Sequence, residues 1–570
     1  NKRGPLFEMM INANRPIVAS DSQLFIAAVD AIFKSQGKKG IMITSETSAN
    51  EDIKEFLKSP DAYIEAHQPD YICFNSSMES GNDISVRNYF DEEYCFYFGV
   101  IGTDAQHQIT FRLRDENIER FVWCKEFNAT TEKLRSPFPR SNLNNHQALL
   151  LLDIKNCSRN GEDVTEKVKA LCEMTKENPH DEMWSAIEAV YAYEQGNLRE
   201  CLMDSLKDAG HIITELRLED MDSKAESEAK DEVKDRYAQD IYNAENINAS
   251  EIEERKRKGK WKDQCAVAKA ILKMQLPDVE TTPYWNPETI RLLKYDERDR
   301  VRKLERWWMF NNLDDAKILQ RRRWENLAEG KIHKFHIRSD YSKILALIEA
   351  GITLFLEERD REWKEDDPEV QAFIANCKKH DFKLAFGRSP SKNTYSMKWI
   401  GTCLDFFGCD WKEKRRRVDG ERVRFYRLVP ALNCDMRNPT FYNCIVNRFE
   451  KMLEKLKSEK SPETQAQYDV EGVPEHPSVL YIKGTSGTAK NQPDLSEDST
   501  DLVADSKDET EAQSDAITSN PSILEQSLNR MRDDIPSKDK LAPQVIRILE
   551  RDEELLDWDI AKELDQPLEA

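Results

Sequence analysis

At 570 residues and 66.4 kDa the chain is too long for a single hydrophobic core and implies several domains. With 33% charged and 39% hydrophobic residues, much of it must be solvated helix surface or disordered chain. Its longest apolar runs, at 96–102 and 148–152, fall far short of the ~20 residues a spanning helix needs, which excludes a membrane partner by this route. The net charge of −22 argues against nucleic acid only as a whole-chain sum, because the acid is concentrated at 219–254 and after about 463, on either side of a basic, aromatic stretch. Twelve cysteines are scattered without CxxC pairs, as in a reducing cytoplasm, and no metal site is expected. Cys403 with Cys409, or Cys434 with Cys444, lack the matching histidines of a zinc site. The chain opens on Asn1 with no charged-then-apolar leader, so its start reads as internal.

From 15 to 127 short apolar runs alternate with amphipathic stretches, the pattern of parallel βαβ units. Strands are expected at 16–19, 40–43, 71–74, 96–101 and 120–124, and helices at 23–36, 51–58, 62–67 and 104–113. This first domain, 1–135, reads as an α/β lobe with a parallel sheet. A loop rich in Ser, Pro and Asn follows at 136–145. The second domain, 136–280, reads as helical, with apolar residues at helical spacing over 164–175, 181–195 and 198–209. A strand-like run at 210–216 leads into a very polar helix, 219–236, expected to be exposed.

The third region, 281–450, is basic and holds seven of the eleven tryptophans between 283 and 427. Arginine neutralises phosphate and tryptophan stacks on bases, so the combination suits nucleic acid, although both also serve in ordinary helices. Between Arg298 and Arg306 acidic residues interleave with five basic ones, which favours a solvated helix face. Over 393–428 the pattern is sharper. Met397, Ile400, Leu404 and Phe407 give one apolar stripe on a helix capped by Thr394 and stopped by Gly408. The pair Asp419-Gly420 then separates two arms that can extend, a strong hairpin signal because a tight primed turn needs positive φ. From Lys412 to Arg427 eight basic residues stand against three acidic ones. Helix plus basic hairpin reads as a winged helix, with Arg415, Arg416, Arg417, Arg422 and Arg424 as candidate phosphate contacts.

The last region, 451–570, is dominated by polar and acidic residues; nine acids and one lysine lie within 494–515. Such a segment cannot bury enough apolar surface to offset its ordering entropy, so an acidic disordered tail is expected, with a terminal helix at 541–564. The run 484–490 lacks GxxxxGK spacing and is not a phosphate loop.

Two segments of the first domain carry chemistry. Ser76 to Ile84 (SSMESGNDI) follows an expected buried strand, and Gln108 to Asp115 (QITFRLRD) places Arg112 and Arg114 on a helix, Arg112 being 31 residues beyond Gly81. Hydroxyls such as Ser76 and Ser77 suit nucleic-acid phosphates, and Gly81 allows a sharp turn. Arginine's fixed charge and planar fork suit γ-phosphate oxygens. The two segments resemble the last two motifs of superfamily 2 nucleic-acid-dependent ATPases, whose second RecA-like lobe completes an ATP site.

Together with 15–21 (RPIVASD), 89–91 (YFD), 98–106 (FGVIGTDAQ) and 177–180 (ENPH), they are similar to cyanobacterial plasmid replication proteins, whose motor is of the herpesvirus origin-binding type. The resemblance covers roughly the first 210 residues. It implies replication initiation: origin DNA, as duplex or single strand, held by the C-terminal domains, and ATP with Mg²⁺ bound between this lobe and an upstream RecA-like lobe. Replisome proteins are further partners it implies, in the cytoplasm. Carried over residue by residue, Arg112 and Arg114 take the catalytic positions, Gly81, Asp83 and Gln108 contact the nucleotide, and Ser76 and Ser77 the nucleic acid. Superfamily 2 motors have glycine where Phe111 stands and their second arginine at Asp115. No Walker lysine or acidic Mg²⁺ ligand is found in the chain, so it is not expected to hydrolyse ATP alone. The competing reading is a non-enzymatic DNA-binding initiator or regulator that uses the lobe as scaffold; a restriction or repair helicase shares the lobe but not the family-like segments.

Overall fold

A computed structural model describes residues 3–78, 82–128, 136–159, 164–165, 168, 171–172, 179–216, 218, 222–328, 339–391, 394–418, 421–430 and 439–459. Five strands form one sheet: β1 (Pro16–Ser20), β2 (Gly40–Ile43), β3 (Tyr71–Phe74), β4 (Glu92–Tyr97) and β5 (Glu119–Cys124), in the order β2-β3-β1-β4-β5 with every neighbouring pair parallel. A parallel strand in mid-sheet is covered on both faces, so it need not alternate in polarity. All of β1 and β3 is accordingly buried, and the one polar side chain of β1, Ser20, donates to the Phe96 carbonyl at 2.7 Å.

The two faces sort by residue parity. Val18, Tyr71, Cys73, Tyr94 and Phe96 pack under α1 (Gly4–Asn12) and α2 (Gln23–Ser35). Ile17, Ala19, Ile72, Phe74, Cys95 and Tyr97 pack under α3 (Glu51–Lys58), α4 (Pro60–His67) and α5 (Thr103–Thr110). Helix α2 starts where the Ser22 hydroxyl accepts the Phe25 amide at 3.3 Å. Its Phe25, Val29 and Phe33 recur at helical spacing and are fully buried, each side chain contributing roughly 2–3 kcal/mol of burial.

The connection from β1 uses one face and that from β4 the other, so strand direction of travel reverses between these neighbours. Crevices of this kind are where open α/β sheets hold ligands. Here Asp21 fills it: its carboxylate accepts the Phe98 and Val100 amides, each at 2.8 Å, and Gly99 turns at φ 82°. Burial pushes the Asp21 carboxyl up, and the two amides draw it back. These bonds also explain why the strand runs 92–97 rather than the expected 96–101: from Phe98 on the backbone is spent on Asp21 instead of a ladder.

Helices follow: α6 (Pro139–Arg159), α7 (Pro179–Gly196), α8 (Leu198–Asp208) and α9 (Lys224–Asn243). Leu198, Leu202 and Leu206 of α8 join the face that holds α5. Helix α9 corrects the expectation of an exposed polar helix at 219–236. Its Ala229, Val233 and Tyr237 pack on the α2 face of the sheet, and Ala238 and Ile241 enter the next core; the buried Glu226 is held there by Arg3 and Lys230, and the other acids of the helix lie toward its outer side. Residues 210–216, expected as strand-like, have no regular secondary structure.

That next core joins α9 to α11 (Trp261–Gln275), α12 (Pro287–Arg291), α13 (Arg300–Asn311), α14 (Leu313–Ala328) and the last described helix, while α10 (Ile252–Lys258) packs its Ile252 on Val267 and Ala270 of α11. The basic stretch on α13 is not a free face. Arg302 pairs with Asp340 at 2.7 Å, Arg306 with the same carboxylate at 3.1 Å, and Lys303 with Asp405 at 2.7 Å. Arg306 also lies 3.9 Å from the Phe406 ring centroid. Burial works against the Asp340 charge, but Arg306 and Arg302 hold its carboxyl well below the usual range.

A separate core is built by α15 (Asp340–Ala350), α16 (Ile352–Glu357), β6 (Glu362–Trp363), α17 (Pro368–Cys377), α18 (His380–Phe386), α19 (Ser396–Asp405), β7 (Cys409–Val418) and β8 (Glu421–Pro430). Its antiparallel sheet runs β6-β8-β7, and α20 (Pro439–Glu459) follows. Trp363 and Trp399 are buried here and Trp308 in the neighbouring core, so these rings serve packing rather than base stacking. Thr394 is not the cap of α19: its hydroxyl accepts the Ser391 amide at 2.9 Å, and the helix begins after Tyr395. Gly408, at φ 73°, ends the turn after α19 as its spacing suggests. The tail from 460 onward, with the expected terminal helix at 541–564, lies outside the described residues. Among the described residues no helix is long and apolar enough to cross a membrane, and no group of three or more His, Cys, Asp or Glu is placed to hold a metal ion.

Candidate functional site

Helix α5 ends at Thr110, so Arg112 and Arg114 stand beyond it rather than on the expected helix over 104–113. The backbone there is claimed by a different partner. The Ile84 amide donates to the Arg112 carbonyl and the Arg114 amide to the Ile84 carbonyl, both at 2.8 Å, forming an isolated parallel bridge between Ile84 and Leu113. Extended backbone alternates its side chains. Leu113 therefore enters the core, while Arg112 and Arg114 share the opposite side and meet Asp83. Arg114 Nη2 lies 2.8 Å from Asp83 Oδ2, and Arg112 Nη1 lies 3.5 Å from Oδ1. Two segments far apart in sequence thus converge on one carboxylate.

The two arginines are not equivalent. Arg114 has 55% of its side chain exposed, whereas Arg112 has 9%. Nε of Arg112 is buried with no acceptor, and the guanidinium's ion pair with Asp83 is a long one. A buried guanidinium with donors unmet is expensive, and such a group gains most from an added anion. It lines a cavity of about 650 Å³ together with Gln108, Phe111, Arg114, His107 and His211. Gln108 is exposed on α5.

Phe111 stacks on His211 with centroids 4.2 Å apart and planes at 10°. His107 bonds the Ser205 hydroxyl at 2.8 Å through Nδ1. Burial, and then the neighbouring His211, lower the His107 pKa, while Asp104 opposes them. His211 comes from the irregular segment after α8, where nothing in the local pattern pointed to this site.

Asp115 is a backbone clamp. It accepts the Asn88 amide at 2.6 Å and the Asn117 amide at 3.0 Å, and Asn88 sits at φ 55°. A third arginine, missed in the sequence, shapes the same loop. Arg120 donates to the Leu113 and Asp115 carbonyls at 2.9 and 2.7 Å and pairs with the buried Glu93 at 2.7 Å. Burial pushes the Glu93 carboxyl up to about 8 even against Arg120.

Ser76 is exposed and Ser77 half-buried just past the carboxyl end of β3, where Asn75 Oδ1 accepts the Ser77 amide at 2.9 Å. Gly81 lies outside the described residues.

The basic hairpin forms over the expected residues. Its ladder runs from Cys409↔Pro430 to Val418↔Glu421, and residues 419–420 between the arms lie outside the described residues. At its base Trp411, Tyr426 and Leu428 pack on the helices; Trp411 Nε1 donates to the Met397 carbonyl at 3.1 Å. Further out, Arg415 lies opposite Arg424 and Arg417 opposite Arg422, all on one face and all exposed. Like charges directly opposite in a sheet repel. Glu413 offsets part of this, 2.5 Å from Arg415 and 3.9 Å from Arg424. On the other face Arg416 pairs with Glu362, and Arg427 with Asp360. No protein-family model, no curated protein and no solved structure matches this chain.

Proposed function

We propose that the chain is the DNA-holding, motor-completing part of a replication initiation protein of the plasmid type. The observation that carries this reading is the quartet Arg415, Arg417, Arg422 and Arg424, set in facing like-charge pairs on an exposed hairpin. A fold bears such self-repulsion most readily where a polyanion meets it, and duplex DNA carries one charge per ~1.7 Å of axis. The helices α15 to α19 with the β6-β8-β7 sheet are read as a winged helix: strand, helices and hairpin follow in that order, with α19 packed beneath the hairpin.

The motor half of the reading rests on Arg112, Arg114 and Asp83. Arg112 lines the cavity beside the more exposed Arg114, a pair of cations that suits an anionic group there, and a nucleotide's γ-phosphate is the anion that the family resemblance supplies. Arg112 and Arg114 hold it, Gln108 lies at its edge, and Asp83 orients both guanidiniums. ATP contributes the phosphoanhydride whose cleavage drives such motors, bound with Mg²⁺ against a companion lobe. Origin DNA and that lobe are the partners; the setting is the cytoplasm.

A second reading, a DNA-binding initiator that uses the lobe as scaffold, is favoured by two specific features. Asp115 is committed to the backbone where the family has arginine, and Asp21 fills the crevice between β1 and β4. The two readings separate on nucleotide. The motor reading expects no hydrolysis by this chain alone and tripolyphosphate binding that Arg112→Ala abolishes; hydrolysis by the purified chain, lost in Arg112→Ala, overturns the need for a companion lobe. Absence of any tripolyphosphate binding leaves the scaffold.

A further inference from the structure

Besides its cations, the cavity beside Arg112 and Arg114 has an aromatic wall. Helix α8 ends in a Schellman turn: Gly210, at φ 90°, donates its amide to the Lys207 carbonyl at 2.8 Å, and the His211 amide donates to the Leu206 carbonyl at 3.0 Å. Leu206 is buried in the core of the lobe, so this turn fixes His211 against the cavity. There its imidazole lies parallel to the Phe111 ring, and the Arg120 guanidinium lies over the same ring, 5.2 Å from its centroid. His107 crosses both rings steeply, with its centroid 5.2 Å from Phe111 and 6.2 Å from His211, and its bond to Ser205 ties α5 to α8. Beyond His211 the stack stops. The residue is exposed, and among the described residues no further ring or cation lies on it.

From this arrangement we infer that the cavity holds a whole nucleotide, its base stacked on the outer face of His211 and its phosphates on Arg112 and Arg114. The inference rests on the anion-binding reading of the two arginines and deepens it, because that reading needs the phosphates alone. A ring face without a partner at the wall of a cavity suits another π system, and every nucleobase offers one. Preorganisation favours the contact. The turn at Gly210, the Phe111 face and the bond to Ser205 hold the platform before a ligand arrives, so little side-chain entropy is lost on binding. Size agrees as well: about 650 Å³ is ordinary for a small-molecule site and far more than one phosphate group fills. Gln108, exposed at the same cavity, both donates to and accepts from a base or ribose edge. A protonated His211 would act differently, as one more cation for the phosphates, and the two roles separate on a ligand that has no base.

The test uses the full chain with Mg²⁺ and two ligands, ATP and methyl triphosphate, titrated calorimetrically at the same salt and pH. Methyl triphosphate carries the same phosphate chain and charge without a base. The wild type is expected to bind ATP about five- to tenfold more tightly, the scale of one base stacked on a side-chain ring. His211→Ala is expected to remove that advantage and to leave the affinity for methyl triphosphate unchanged, which also shows that the fold is retained. His211→Phe keeps a ring and carries no charge, and is expected to keep the advantage. Equal affinity of the wild type for the two ligands, or a His211→Ala loss shared by both, overturns the stacking inference and leaves the anion site standing. Binding of neither ligand by the wild type overturns both.

Discussion

Arg417 lies directly opposite Arg422 across the hairpin, one pair from its turn. Side chains so placed are about 5 Å apart at Cβ, and two exposed guanidiniums there cost the ladder a few tenths of a kcal/mol. Arg422→Glu exchanges that repulsion for attraction. The variant is expected to be as stable as the wild type or slightly more so in urea unfolding at low salt, yet to bind duplex DNA at least tenfold more weakly. Loss of stability together with binding would assign the pair a structural role instead.

Asp83 is the counter-charge for a buried arginine. Asp83→Ala leaves Arg112 with neither its ion pair nor an acceptor for Nε, and is expected to destabilise the chain by about 1–3 kcal/mol. Added tripolyphosphate should raise the melting temperature of this variant more than that of the wild type, since the anion replaces the missing carboxylate. Calorimetric scans with and without the anion measure both effects; equal shifts would mean that the anion does not reach Arg112.

Asp115 accepts two backbone amides, which makes it indispensable to its loop. Asp115→Arg is expected to cost about 1–3 kcal/mol in urea unfolding and to gain no nucleotide affinity. A stable variant with improved binding would show that the clamp is dispensable.

Asp340 gives a pH signature. Its carboxyl is held below its ordinary value in the folded chain, despite burial, by Arg306 and Arg302. A depressed folded pKa means that its contribution is present above the unfolded value of 3.8 and lost as pH falls below it. Asp340→Asn should therefore cost about 2–4 kcal/mol at pH 7, because the buried Arg306 and the partly exposed Arg302 lose their partner, and the gap from the wild type should close as the solution is acidified below that value. Urea midpoints measured from pH 7 downward test this; a gap independent of pH would place the cost in packing alone.

Sequence period and punctuation made much of the fold legible, and tertiary partners account for what they missed. The strands around Val18 and Ile72 stood out because a buried parallel strand is apolar throughout, and the hairpin because Asp419-Gly420 permits few other turns. The end of β4 was misplaced because Asp21, some 77 residues earlier, takes the Phe98 amide, a bond no local pattern announces. Helix α9 looked exposed because charge outnumbers Ala229, Val233, Tyr237 and Ile241, although their fourfold spacing was there to be counted. At the candidate site, Arg112 and Arg114 were readable from their spacing from Gln108. Their placement off the helix was not, since it depends on Ile84 reaching across to Leu113. His211 and Arg120 carried no motif and could be found only once the chain was folded.

The central claim, that this chain holds duplex DNA through the hairpin, is tested most directly by the salt dependence of duplex binding. Each phosphate contact contributes about 0.9 to the slope of log K against log salt. Neutralising Arg415, Arg416, Arg417, Arg422 and Arg424 together is predicted to make that slope shallower by about 2–4, the lower end applying if the arginines held by Glu413 and Glu362 contribute less. A slope unchanged by the five substitutions would contradict the account.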